Sequence, residues 1–116
     1  MHMRSAPAFV YWFRLEVSVE VVGHKIGWKF DWKQRLRQFN SVSLDLLGGL
    51  LYKPCKCQRF SRARDAFRIE QQILEYFDGY RHPSNREVLT DINTPQIDEV
   101  WHTRVTSAIL DPKRRG

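Results

Sequence analysis

Arg35 and Glu70 are the residues of this chain whose types and settings call for a chemical explanation. Arg35 follows Trp32 by three positions in a run where Trp32, Leu36 and Phe39 recur at helical spacing, so it borders a buried stripe. Glu70 falls inside another stripe. Across Ser61–Asp78, the residues Ala63, Ala66, Phe67, Ile73, Leu74 and Phe77 mark one helix face, and position 70 lies in its middle. An ionised carboxylate in such a place must be paired, bind a cation or take up a proton. A structural salt bridge would satisfy Glu70 with no chemistry at all. A carboxylate that grips a divalent ion, joined by a guanidinium offering fixed donors, is instead the equipment of phosphodiester chemistry.

The elements that must position these two groups follow from pattern. In Phe9–Val22, Phe9, Tyr11, Phe13, Leu15, Val17, Val19 and Val21 alternate with Arg14, Glu16, Ser18 and Glu20, which predicts strand. So long a run calls for a hairpin bending near Ser18–Glu20, its second strand passing through Val21 to Trp28; a turn at Gly23–Gly27 is the alternative. Asp31 caps a helix through Phe39. Ser41–Leu47 alternates again, and with Leu50–Tyr52 it predicts a strand bulged or hairpinned at Gly48-Gly49. Ser61 caps the long helix and Gly79 supplies its stop. Arg81–Leu89 is a polar loop. A last helix takes Thr94 as N-cap and Pro95 at its first position, with Ile97, Val100, Trp101, Val105, Ala108 and Ile109 as its packing stripe. The expected organisation is one α+β domain over 1–116: a loose start (1–8), a core (9–93), a packing helix (94–110) and a basic tail (111–116).

A net charge of +6 favours a polyanionic partner, nucleic acid before an acidic membrane surface. The charge is concentrated. Lys25, Lys29, Lys33, Arg35 and Arg37 stand against Asp31 alone, and Lys53, Lys56, Arg59, Arg62, Arg64 and Arg68 against Asp65 alone. These blocks flank Arg35 and Glu70, which points to phosphate-backbone contact, with Lys29, Lys33, Arg37, Arg62 and Arg64 as the contacting residues. No stretch is long and apolar enough for a membrane span, and no secretory leader is recognisable, so cytoplasmic placement is the default. Cys55 and Cys57 are too close for a useful disulfide and lack zinc-ligand spacing with His24, His82 or His102; two reduced thiols near the core edge are expected.

Phe9-Val10-Tyr11, Lys25-Ile26-Gly27, Asp31, Arg35-Leu36, Glu70 and Asn85-Arg86-Glu87, in that order, resemble the GIY-YIG nuclease domain. The nearest variety is the phage and bacterial branch whose second motif reads KIG. The resemblance covers about Phe9 to Asp91. It implies a small antiparallel sheet of about three strands flanked by helices, and DNA cleavage dependent on a single Mg²⁺ or Mn²⁺. It further implies that Tyr11 lies near the attacking water, Arg35 contacts the scissile phosphate, Glu70 holds the metal and Asn85 orders the site. Two departures stand out: Phe9 replaces the family's first glycine, and Lys25 replaces the second tyrosine of many members. The general base therefore stays open among Tyr11, Lys25 and His24, although His24 as a strand neighbour of Lys25 points to the opposite face. Targeting is expected from a partner protein or from DNA structure. Two other classes compete: a catalytically inactive relative that binds nucleic acid, favoured by Lys25, and a protein-binding module.

Overall fold

The first strand opens with an unbroken apolar run, residues 8–13, that is buried on both faces, and the rest of the molecule is arranged around it. The computed structural model describes residues 6–46 and 49–110, with backbone alone for 42–46. β1 (Ala8–Val17) and β2 (Glu20–Lys29) form a hairpin, with Ser18 and Val19 at φ 51° and 61° in its turn. The bend thus falls at Ser18–Glu20 and not at the glycines. α1 (Trp32–Leu46) follows, then β3 (Leu51–Phe60), α2 (Ala63–Tyr76), a 3₁₀ turn at Asp78–Tyr80, β4 (Val88–Leu89) and α3 (Thr94–Leu110). The strands form one antiparallel sheet ordered β3-β1-β2-β4. The fold is α+β; the two-residue β4 makes the sheet four-stranded where about three strands were expected.

Each face of the sheet carries its own layer. Ala8, Val10, Trp12 and Ile26 pack beneath α2 and α3 with Ile69, Ile73, Leu74, Ile97, Trp101 and Val105. On the other face Tyr11 and Phe13 stack at 4.2 Å, and Phe13 meets Trp32 and Phe39 of α1. Ala8, expected in a loose start, is fully buried and begins β1. Cys55 and Cys57 are free, half-buried thiols on β3.

Four local expectations are corrected. Ser41–Leu46 continues α1 instead of forming a strand. Leu36, Phe39, Val42 and Leu46 also fit a period near that of a helix, and alternation over so short an apolar run does not separate the two states. The Gly48 part of the predicted bulge lies outside the described residues, while Gly49, at φ 83°, precedes β3. α2 starts after Arg62, with no side-chain cap, so Ser61 does not serve. It ends at Tyr76 with Phe77 as its C-cap, and Gly79 sits within the 3₁₀ turn without a left-handed φ. α3 is capped by Asn93 and not Thr94: Gln96 N–H donates to Asn93 Oδ1 at 2.9 Å, and Asn93 N–H donates to Gln96 Oε1 at 3.2 Å. That reciprocal pair satisfies two backbone donors that an open helix start leaves unpaired.

Candidate active site

Opposite residues of an antiparallel pair project to the same face, and β1 and β2 use this to bring Tyr11 beside Gly27 and Phe13 beside Lys25. Gly27 is required by contact. A Cβ added there would lie 2.3 Å from the Tyr11 hydroxyl oxygen and 2.4 Å from its ring carbon Cζ. The end of the phenol thus fills the space a side chain would take, held over the β2 backbone. Tyr11 is 1% exposed. Burial raises its pKa most strongly and Glu87 adds to this; the Arg35 guanidinium lying against the hydroxyl pulls it down, and Glu70 raises it again. The balance keeps the phenol protonated. Arg35, Glu87 and Glu70 thus all bear electrostatically on this one hydroxyl.

Arg35 reaches this point from the first turns of α1. That helix is entered through Asp31, whose Oδ1 accepts the Gln34 N–H at 3.0 Å. The guanidinium carbon lies 4.8 Å from the centre of the Phe39 ring, and Nη1 faces Gln38 Oε1 at 3.5 Å. Arg35 Nε is buried without a hydrogen-bond partner among the described residues. A buried N–H in that condition favours an incoming acceptor.

Glu70 comes from the middle of α2 and is 2% exposed, so its place within the apolar face is as predicted from spacing. Its Oε1 accepts from the Gln71 side chain at 2.6 Å. Burial raises its pKa to about 7; the Gln71 contact opposes this, Glu87 adds to it, and Lys25 and Arg81 lower it. Glu70 is therefore a carboxylate that additional positive charge would stabilise. Lys25 supplies part of that charge. It is 4% exposed, its ammonium is ion-paired with Glu87, and it lies 5.6 Å from the Phe39 ring centre.

Glu87 is the site residue that sequence reasoning left without a role. It enters because Ile26 N–H donates to its carbonyl at 3.0 Å, which docks the loop before β4 against β2. Asn85 organises that loop from outside: it is exposed, and its Oδ1 accepts the Glu87 N–H at 3.2 Å. Its link to the cluster among the described residues runs through Glu87. The only hint of Glu87 in the sequence was its membership of the Asn85-Arg86-Glu87 triplet.

His24 lies on the other face. Its Nδ1 accepts from the Trp12 indole at 3.0 Å, and burial, its largest influence, lowers its pKa to about 4. It is a satisfied core histidine, and the expectation that it competes as general base is withdrawn. Among the basic residues, Lys29, Lys33, Arg37 and Arg64 are exposed. Arg62 is half-buried, its Nε ion-paired with Asp65 at 3.4 Å, so part of its charge is met at the start of α2. Lys53 likewise pairs with Glu16 at 3.3 Å.

Glu70 and Glu87 offer hard oxygen ligands, and Mg²⁺ is commonly held by one or two carboxylates with water and substrate phosphate completing its shell. Among the described residues no group of three or more His, Cys, Asp or Glu gathers. No helix among them is long and apolar enough to cross a membrane. Comparison with protein-family models, with curated proteins and with solved structures returned no match.

Proposed function

We propose that this chain is a Mg²⁺- or Mn²⁺-dependent endonuclease acting on DNA phosphodiesters, of the GIY-YIG type that its motifs resemble. One observation carries the reading: the Tyr11 hydroxyl, set over Gly27, is under the charges of Arg35 from α1, Glu70 from α2 and Glu87 from the loop before β4. The packing of a small core does not by itself call for charged groups from three other elements to bear on one buried hydroxyl.

Arg35 Nε–H and the rest of its fork donate to the scissile phosphate, most strongly as negative charge builds on the equatorial oxygens. The protonated Tyr11 hydroxyl orients the attacking water. Glu87, whose charge bears on Tyr11, receives that water's proton, and Lys25 steadies Glu87. Glu70 would hold the divalent ion, which when bound would neutralise charge on the phosphate and the leaving oxygen. The exposed Lys29, Lys33, Arg37 and Arg64 supply salt-sensitive affinity for the backbone.

The test is nicking of supercoiled plasmid with Mg²⁺ or Mn²⁺, against chelator and against Glu70→Gln. Cleavage lost in both controls supports the reading; undiminished cutting by Glu70→Gln refutes the site. A second reading, a catalytically inactive DNA binder, is favoured by Lys25: an ammonium already buried among these carboxylates does part of a metal's electrostatic work. Salt-dependent DNA binding with no nicking under either metal would select it.

A further inference from the structure

Trp28, packed against the margin of the core, forms with Phe30 and Phe67 an aromatic cluster that the proposed reaction does not use. The Phe30 ring lies 5.5 Å from that of Trp28 at 79°, and the Phe67 ring 6.3 Å away at 77°. Phe30 is 41% and Phe67 48% exposed, whereas Trp28 is anchored at the margin of the core. Phe67 was expected to face inward; Ile69 takes the core position instead. Exposed Lys29 sits between Trp28 and Phe30 in sequence, and exposed Arg64 and Arg68 flank Phe67 on α2; of the nearby acids, Asp31 follows Phe30, and Asp65 is buried and ion-paired with Arg62. Phe67 also precedes Glu70 by three residues, so the cluster stands one helical turn from the proposed metal ligand. β4 pairs only with His24 and Lys25, which leaves the Gly27–Lys29 end of β2 without a strand on its outer side among the described residues.

We infer that this cluster is a stacking platform for an unpaired base, and that the substrate is DNA carrying a single-stranded segment next to the cut, such as a flap or branch. The inference rests on the nuclease reading and specifies its substrate class. Base stacking on aromatic rings combined with cations that follow the backbone is how single strands are held without sequence preference. Paired bases in a duplex keep their faces stacked on one another and cannot use such a platform.

The experiment is fluorescence anisotropy with a labelled single-stranded oligonucleotide and its duplex, using the Glu70→Gln protein in chelator so that no cutting is needed. Phe30→Ala and Phe67→Ala, each confirmed as folded by thermal denaturation, are expected to weaken single-strand binding by about 5-fold or more while changing duplex binding less than about 2-fold. Saturating single strand should also quench tryptophan fluorescence, and less so in Phe67→Ala. Equal losses on both ligands, or no loss on either, overturn the platform. So does a change of oligomeric state in the variants with DNA binding unaltered, which would make the patch a protein contact. Selective single-strand binding by a wild-type protein that does not nick would leave the platform standing while the nuclease reading falls.

Discussion

Glu70→Gln separates the electrostatics of the cluster from its packing, since glutamine has nearly the same shape and its amide oxygen can still accept from Gln71. In the folded protein the Glu70 pKa is raised from 4.5 to about 7, chiefly by burial. Between those values the native state binds more protons than the unfolded chain, so stability falls as pH rises through that window. Below it, Glu70 is protonated in both states and contributes no penalty. Above it, the penalty levels off at about 3 kcal/mol, from roughly 1.4 kcal/mol for each pH unit of the displacement. Urea denaturation should therefore find wild type and Glu70→Gln close in stability near about pH 5. Near about pH 8.5 the variant should be the more stable by up to about 3 kcal/mol, a midpoint difference of about 1–2 M. Divalent metal reverses the ranking in part. At about a hundred times its dissociation constant Mg²⁺ should raise wild-type stability by about 2.7 kcal/mol and leave Glu70→Gln unmoved. Protons compete for the same oxygens, so metal affinity should fall about tenfold per pH unit below about pH 7. Identical pH dependence in the two proteins would refute the claim that Glu70 is buried without sufficient counter-charge.

Three further perturbations test neighbouring parts. Gly27→Ala should destabilise by about 1–3 kcal/mol and abolish nicking, because the new methyl overlaps the phenol; Tyr11→Phe should not rescue it, since ring carbon Cζ itself is in the way. Lys25→Met should destabilise by about 1–3 kcal/mol and move the Glu70 transition to higher pH, with Glu87→Gln in the same chain recovering most of the stability in a double-mutant cycle. Val19→Gly should stabilise by about 1 kcal/mol in urea, because a β-branched residue occupies a left-handed position at φ 61° that glycine adopts without strain.

What could be seen in the sequence was what depends on period and type. The Phe9–Val22 alternation located the β1–β2 hairpin, and the helical spacing around position 70 placed a carboxylate on a buried face. What escaped depends on contact between distant segments. Ser41–Leu46 fits both periods, and only the run of α1 onward from Phe39 decides it. Phe67 and Ile69 lie on opposite borders of the buried stripe of α2, and which of them turns inward is set by the sheet beneath. Glu87 acquires its place through a hydrogen bond from Ile26 and an ion pair with Lys25, 62 residues away in the chain. No local signal encodes such a partnership. His24 was assigned to the face opposite Lys25, and its pairing with Trp12 follows from that alternation.

β1 has a strand at either side and a helical layer on either face. Its central amides should exchange with solvent deuterium only when the whole molecule opens. The phenol is mounted on that least deformable part, while the guanidinium and Glu87 arrive from a peripheral helix and a docked loop. Drift in the outer parts can retune which polymers are engaged and leave the pivot where it is. Substitution within the inner strand has no such freedom, because each of its side chains is a wall for one layer or the other.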